Sequence, residues 1–292
     1  MFTKNTKENN LSNLRKKYNF SYKTSLGPFK NPINFYINGD KLIVLNFGDL
    51  YKENGSIDIY DIRKNTLVNS FKLKGNPKAL DLYDTNTFII VKHLNQGIYT
   101  LNLKTGKEEL FIRGENFINP TSVLIKNEIL LFTDLLAHSI KVFSYEGEFI
   151  DEIVLRKKAE FPVEIRTLNN FDIILTLGNG KFYPKFSSQK EIKTPLYLIN
   201  DSTIVECDFL PSQLAIPFSG LEIVNKNEIF ILNKYFLFKY SLNDGVIFKK
   251  KLIFRNIERK YFNSFFYKIK SREKEIFILE RETTKRIFVF KI

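Results

Sequence analysis

Six polar side chains stand at or directly after the ends of short apolar runs. They are Asn46, Lys92, Asp134, Thr176, Asn233 and Glu280. If the runs are equivalent strands of a ring, these ends converge on one opening. Loop ends held by a rigid scaffold are where binding groups concentrate. The spacing therefore predicts a ligand-binding mouth built from these six positions, with two carboxylates, one ammonium and three neutral groups.

Metal chemistry at that mouth would need oxygen ligands. Asp134 and Glu280, with Asn46 or Asn233, form a set that a divalent cation could use. The chain has two histidines, His93 and His138, which fall at different positions of the repeat. That placement excludes a zinc site made of several histidines. We assign no metal ligand and no cofactor.

A second candidate for chemistry is the segment from Asp134 to Ser139, which also contains His138 and so supplies the three residue types of a nucleophilic triad. A triad usually draws its members from separate segments aimed at one point. A turn between two strands explains the segment better. We therefore assign no catalytic residue, and an enzyme is the less favoured class.

Two further features could contact partners. The long connection from Leu177 to Pro195 carries Phe182, Tyr183 and Phe186. Long loops of this kind often act as lids or contact elements. The alternative is a longer hairpin whose aromatic side chains fold back onto the ring.

The second feature is a basic patch near the C-terminal end. The net charge of +13 is unevenly distributed: residues 1–30 carry +6, residues 246–292 carry +9, and residues 31–245 carry −2. The patch comprises Lys249, Lys250, Lys251, Arg255, Arg259 and Lys260. Basic residues interleaved with aromatic ones can bind nucleic acid or another polyanion. The alternative is a lysine surplus that reflects biased composition.

The elements that must position these groups are strands. The apolar runs begin at Leu42, Phe88, Ile129, Ile173, Ile229 and Ile276, with starts 41 to 56 residues apart. A period of about 40–50 residues filled with strands is typical of a β-propeller. We predict an all-β fold: a six-bladed β-propeller of four-stranded antiparallel blades. In each blade a solid apolar run forms a buried second strand, and an alternating segment forms a more exposed third strand.

The chain ends after the third strand of the sixth unit. The alternating segment 18–23 near the N-terminus precedes the first unit and could supply the missing fourth strand. A strand from one end of the chain that completes the blade of the other end removes exposed edges. The prediction is a disordered basic tail over 1–14 and a single propeller over 15–292.

Unit three carries a motif that resembles an NHL repeat. Asn119-Pro120 opens it, a strand ends at Asp134, His138 begins the turn, and Gly147 precedes Phe149. Ser139 stands where the family usually has arginine. The resemblance in architecture extends over most of the chain, whereas the sequence motif itself matches in about one unit. It implies a propeller related to binding scaffolds, sensor modules and a few metal-dependent enzymes.

From these features we predict a non-catalytic binding scaffold with a protein or peptide ligand at one mouth. The alternatives are a metal-dependent enzyme of lactonase or lyase type and a propeller that binds RNA or another polyanion.

One cysteine, Cys207, excludes an intramolecular disulfide and fits a reducing compartment. No apolar run reaches the ~18 residues of a membrane helix. With no signal sequence seen, the expected location is cytoplasmic, or secreted or periplasmic if a signal was removed.

Overall fold

The computed structural model describes residues 21–49, 51–52, 54–93, 96–155, 161–168, 171–176, 196–200, 203–206, 218–225, 228–233, 236–241, 245–251, 266–281 and 284–291. These residues form 24 strands, β1 to β24, and one short 3₁₀ turn at Gly114–Asn116. The strands group into six four-stranded sheets. Every strand pair with a described register is antiparallel, as in a meander.

Strands in the same position of each sheet share a role. The first strands are β2 (Pro32–Asn38), β6 (Pro77–Leu82), β10 (Pro120–Lys126), β14 (Pro162–Leu168), β18 (Phe218–Asn225) and β22 (Phe266–Arg272). The second strands are β3 (Lys41–Asn46), β7 (Thr87–Lys92), β11 (Ile129–Asp134), β15 (Phe171–Thr176), β19 (Glu228–Asn233) and β23 (Glu275–Glu280).

The outer half of each sheet follows the same order. The third strands are β4 (Ser56–Asp61), β8 (Ile98–Asn102), β12 (Ser139–Ser144), β16 (Leu196–Asn200), β20 (Phe236–Ser241) and β24 (Arg286–Lys291). The fourth strands are β5 (Thr66–Lys72), β9 (Glu108–Ile112), β13 (Phe149–Val154), β17 (Thr203–Glu206), β21 (Gly245–Lys251) and β1 (Ser21–Leu26). We number the sheets 1 to 6 in the order of their first strands.

The sheets are arranged around an axis that the first strands line. Each first strand contacts the first strand of the next sheet, and β22 of sheet 6 contacts β2 of sheet 1, so the cycle closes. Apolar clusters fill the spaces between neighbouring sheets. Leu42 and Val44 of β3 pack towards sheet 6, whereas Ile43 and Leu45 pack towards sheet 2. A second strand is therefore covered on both faces, which explains its unbroken apolar sequence.

Closure through the N-terminal strand is confirmed. β1 pairs with β24 as the fourth strand of sheet 6, with Tyr22 opposite Phe290 and Ser25 opposite Phe288. The described strand continues to Leu26, three residues beyond the predicted end. Residues 1–20 lie outside the described residues, so the tail over 1–14 stays a prediction.

The burial pattern refines the assignment of strand positions. Third strands such as β4 and β12 are less buried than the second strands, as predicted, yet most of their residues are still covered. The exposed positions fall mainly on the fourth strands, and β5 and β13 are exposed along most of their length. Gly106 and Gly147 in the turns that lead into fourth strands have φ of 71° and 91°, which favours glycine.

Candidate functional site: the axial mouth

The six predicted ligand positions are structurally equivalent. Each is the last residue of a second strand and lies opposite the first residue of the neighbouring first strand. The pairs are Asn46 with Pro32, Lys92 with Pro77, Asp134 with Pro120, Thr176 with Pro162, Asn233 with Phe218, and Glu280 with Phe266. In each sheet the register shifts directly after this pair. Proline suits such a strand start because it has no N–H for the ladder.

The two carboxylates at these positions hold their own loops. Asp134 is fully buried and accepts hydrogen bonds from the backbone N–H of Ile118 at 2.7 Å, Asn119 at 2.8 Å and Ala137 at 3.3 Å. Glu280 is also fully buried and accepts from Thr284 Oγ1 at 2.6 Å and the Thr284 N–H. Carboxylates that accept hydrogen bonds from backbone donors in this way stabilise their loops.

Asn46 and Lys92 face the outer strands of their sheets. Asn46 donates to Asp58 of β4 at 2.8 Å. Lys92 forms a buried ion pair with Glu108 of β9 at 2.8 Å, and its ammonium lies 3.4 Å from the Tyr99 ring centre.

The side chains of Thr176 and Asn233 lie outside the described residues. A ligand-binding role for the six positions stays a prediction. Within the described ranges, no group of three or more His, Cys, Asp or Glu residues could hold a metal ion.

The triad-like segment of sheet 3 is a turn. His138 is buried with φ of 54°, and its Nδ1 accepts a hydrogen bond from the Phe161 N–H at 3.2 Å. Ser139 donates to Glu152 at 2.5 Å. Asp134 binds the N–H groups named above. The three side chains therefore use separate partners, as expected for a turn that positions strands.

The other predicted contact residues are only partly described. Lys249, Lys250 and Lys251 lie at the end of β21, opposite Phe238, Leu237 and Phe236 of β20. They are consequently on the outermost strand of sheet 5. The loop aromatics Phe182, Tyr183 and Phe186 and the basic residues Arg255, Arg259 and Lys260 lie outside the described residues.

A group of side chains that the sequence reasoning missed lies at the start of the first strands. We call it the mouth cluster: Lys78, His93, Asn119 and Arg281. Lys78 is the second residue of β6 and donates a hydrogen bond to Asn119 Oδ1 of sheet 3. Arg281 follows β23 of sheet 6 and lies close enough to act electrostatically on Lys78. Groups from sheets 2, 3 and 6 thus meet at one end of the ring.

Protonation distinguishes the members of the mouth cluster. Burial lowers the pKa of Lys78 to about 8; the Asp134 carboxylate opposes that shift and Arg281 adds to it. Burial, helped by Lys78, lowers the pKa of His93 to about 4. His93 Nδ1 is buried and has no hydrogen-bond partner among the described residues. At neutral pH the cluster therefore presents a mostly charged ammonium beside a neutral imidazole.

Deeper along the axis lies a second set, which we call the axial ion network: Asp81, Glu164, Arg166, Glu222, Lys268 and Lys270. All six occupy the third or fifth position of a first strand. Glu164 of sheet 4 accepts from the Leu221 N–H of sheet 5 at 3.1 Å and pairs with Lys268 of sheet 6 at 3.3 Å. It also pairs with Arg166 of its own strand. Glu164 therefore connects three sheets.

Glu222 connects sheets 5 and 6 in the same network. It accepts from the N–H and Oγ of Ser271 at 2.8 Å and 2.9 Å and lies 3.9 Å from Lys270. Burial raises the pKa of Glu222 despite these partners. Burial would also raise the pKa of Glu164, but the charges of Lys268, Arg166 and Lys270 outweigh it and hold that pKa below its ordinary value. The network fills the axis below the mouth with three acids and three bases.

One signal in the sequence could have revealed Lys78 of the mouth cluster. Asn-Pro occurs at 31–32, 76–77 and 119–120, and it marks the start of the first strands of sheets 1 to 3. Counting from it places Lys78 at the second position of its strand. The first strands that carry Glu164 and Lys268 do not begin with this dipeptide. Recognising them as axial groups would have required an alignment of first strands, whereas our sequence alignment followed the second and third strands.

Comparison with solved structures agrees with the topology. A structural-genomics protein of unknown function from Bacteroides thetaiotaomicron has a TM-score of 0.62 and 11% identity, over 93% of this chain and 70% of that one. The β-propeller domain of Cps50 (Swd1) from Myceliophteria thermophila has a TM-score of 0.59 and 8% identity, over 92% of this chain and 99% of that one. At such identity the likeness establishes the fold alone: this chain is an all-β propeller of four-stranded antiparallel blades.

No protein-family model matches the chain, and no curated protein sequence matches it. The NHL resemblance therefore rests on the residues of unit three alone. In the described ranges, no helix combines the length and the apolar composition that a membrane crossing needs.

Proposed function

We propose that this protein is a six-bladed, non-catalytic binding propeller whose axial mouth receives an acidic segment of a partner protein or peptide. The observation that carries the proposal is the position of Lys78. Its ammonium is hydrogen-bonded at the mouth to a neutral amide, Asn119, and the buried Asp134 carboxylate and Arg281 act on it electrostatically. A partly buried ammonium of this kind gains more from an incoming carboxylate than an exposed lysine does, because local screening is weaker.

His93 supports the same conclusion. Its imidazole is neutral at physiological pH, because its pKa is about 4. A neutral imidazole whose Nδ1 lacks a partner within the described chain can accept or donate one further hydrogen bond, depending on its tautomer. Next to a carboxylate bound at Lys78, the neutral ring would add no competing charge, although its Nδ1 is itself buried.

The axial ion network supplies the floor of the site. Glu164 and Lys268 lie one strand position deeper than Lys78 and tie sheets 4 and 6 together. We propose that this floor closes the mouth from below to form a cup, which would suit a side chain or chain end of a partner better than a threaded polymer. Rigid loops around a preorganised cup reduce the entropic cost of binding.

The test is a binding titration with a fluorescent peptide of eight residues containing four glutamates, against the same peptide with glutamines. We expect saturable binding of the acidic peptide, at least tenfold weaker binding of the glutamine peptide, and a similar loss in Lys78→Met. Lys107→Met is the matched control, because Lys107 is an exposed lysine paired with Glu109 on sheet 2. Equal binding of both peptides, or full binding by Lys78→Met, would overturn the proposal.

Binding of RNA or heparin is the second candidate, favoured by three successive lysines on the outermost strand of sheet 5. The same titration separates the two. Competition by heparin that disappears in a Lys249→Glu, Lys250→Glu, Lys251→Glu triple variant, while Lys78→Met has no effect, would support the polyanion function instead.

A further inference from the structure

A cleft lies at the seam where sheet 6 meets sheet 1. It has a volume of about 570 Å³, within the range of small-molecule sites. Its walls come from the ring-closing strand β1, the turn at Gly39 and Asp40 after β2, and the turn after β22. These turns are at the opposite ends of the first strands from Lys78, so this seam cleft and the mouth open on opposite faces of the ring.

The inner wall of the seam cleft is built around Arg272. Its Nη1 donates to the Gly39 carbonyl at 2.6 Å, and its Nη2 pairs with Glu275 at 3.1 Å. The guanidinium lies 5.4 Å from the centre of the Phe277 ring. Lys23 of β1 also pairs with Glu275. Arg272 and Glu275 are thereby held in place by both sheets and serve as a fixed wall.

The rim of the seam cleft is a different kind of ion pair. Arg63 Nη2 lies 2.7 Å from Asp40 Oδ2, with 77% of the Arg63 side chain and 47% of the Asp40 side chain exposed. Exposed pairs of this kind contribute about 0–1 kcal/mol, because water competes for both groups. Asp40 Oδ1 also lies 3.8 Å from Arg272 Nη1. A ligand that offers its own carboxylate to Arg63 and its own ammonium to Asp40 can replace the exposed Arg63–Asp40 pair at little cost, while Asp40 keeps its longer contact with Arg272. Glu273, a further acid, lines the same cleft.

The uncharged lining is partly polar and partly apolar. Of its apolar residues, Leu26, Phe277 and Val289 are almost fully buried, so Ile62 is the one of the four that a ligand can contact. A ligand that fills the site therefore needs two opposite charges and an apolar group that packs against Ile62. The three cations and three anions of the lining balance, so a ligand with one net charge gains no general electrostatic advantage.

We propose that the seam cleft binds a small zwitterion with an apolar side chain, that is, a free α-amino acid such as leucine or phenylalanine. The carboxylate lies against Arg63, the ammonium lies between Asp40 and Glu273, and the side chain lies against Ile62. Because the site joins β1 and sheet 1, the bound amino acid also stabilises the closure of the ring. This site is independent of the mouth.

The experiment is calorimetric titration of the full chain with leucine, together with thermal unfolding. The probes are leucine, 4-methylpentanoate, which lacks the ammonium, and 3-methylbutylamine, which lacks the carboxylate. We expect saturable binding of leucine that raises Tm, and at least tenfold weaker binding of either analogue. Arg63→Ala should weaken leucine binding at least tenfold, while Lys107→Ala and Lys78→Met bind as the wild type does.

Three results would overturn the proposal: no saturable heat with leucine or phenylalanine, equal binding of the single-charge analogues, or unchanged binding by Arg63→Ala. Arg63 is largely exposed, so its replacement should leave the fold intact, and circular dichroism checks this. If that variant were unfolded, Glu273→Gln provides a second test, with an expected loss of several-fold in leucine affinity.

Discussion

The axial ion network and the mouth cluster lie next to each other along the axis and use charge differently. In the network, Lys268 and Lys270 each face an acid of another sheet, Glu164 and Glu222 respectively. In the mouth cluster, Lys78 is hydrogen-bonded to a neutral amide and its pKa falls to about 8. The network is balanced and centred on the buried pair Glu164 and Lys268, whereas every member of the mouth cluster is partly exposed.

This contrast indicates how to separate structural charges from functional ones in a ring of similar strands. A buried charge that has a partner in a neighbouring sheet fixes the relative position of the sheets, and losing one partner leaves the other uncompensated. Lys78 donates its hydrogen bond to a neutral group, and the Asp134 carboxylate only partly offsets the effect of burial on its pKa. The proposed function requires that such a cation retain its capacity for a ligand. The same sequence position can serve either purpose, depending on its depth along the axis.

The largest effect is expected for Glu164→Gln. The change leaves Lys268 and Arg166 without their shared acid and should cost about 3–5 kcal/mol in free energy of unfolding, as for other broken buried pairs. Urea denaturation measures it, with Glu109→Gln as the exposed control. A combined Glu164→Gln, Lys268→Met variant should recover part of the loss. A cost below about 1 kcal/mol would mean that the network is not structural.

Asp134→Asn should have the next largest effect. The carboxylate of Asp134 now accepts hydrogen bonds from three backbone N–H groups. In the variant, the NH₂ group of the asparagine side chain would face one of these donors. An unsatisfied buried donor costs about 1–3 kcal/mol. Because Asp134 also raises the pKa of Lys78, its loss should move that pKa below 8. Thermal unfolding and a pH titration check the two effects, and a variant as stable as the wild type would show that the loop does not need the carboxylate.

Raising the pH should stabilise the wild type relative to Lys78→Met. The folded-state pKa of Lys78 is about 8 and its ordinary value is 10.5, so the unfolded chain binds more protons between these values. The free energy of unfolding therefore rises with pH across that window, by about 1–2 kcal/mol after allowance for solvent at the mouth. Urea denaturation at pH 8 and pH 10 measures the difference. A difference that falls with pH would contradict the lowered pKa.

The smallest stability change is expected for Lys78→Met itself at pH 7. The lost hydrogen bond to Asn119 offsets the desolvation of the ammonium, so the free energy of unfolding should change by about 1 kcal/mol or less. A loss as large as that of Glu164→Gln would make Lys78 a structural group and remove the distinction between the two clusters.

Much of the fold could be predicted from the sequence because it depends on local patterns. The apolar runs give the second strands, and the alternating segment before the first unit pairs with β24 through Tyr22 and Ser25. The site was harder to predict. The ligand role expected of Asp134 stays a prediction, and its hydrogen bonds to the backbone N–H groups of its own loop could not be foreseen from the spacing of the apolar runs.

The charged groups on the axis could not be recognised for a different reason. Glu164 and Lys268 are more than one hundred residues apart and become partners only when the ring closes. From the sequence alone, a single acidic or basic residue in a strand is interpreted as solvent-exposed, because its neighbours across the axis are not known. Lys78 was overlooked in the same way, because its partner Asn119 belongs to the next sheet.

The most direct test of the account is an NMR titration of the Lys78 side chain, with lysine labelled at ¹³Cε and the resonance assigned by its loss in Lys78→Met. We expect a pKa near 8 for Lys78 in the free protein. This pKa should rise when the glutamate peptide binds, because a nearby carboxylate stabilises the charged ammonium. Arg281→Met should also raise the pKa of Lys78 in the free protein. A pKa near 10.5 that the peptide does not change would contradict a binding role for the mouth.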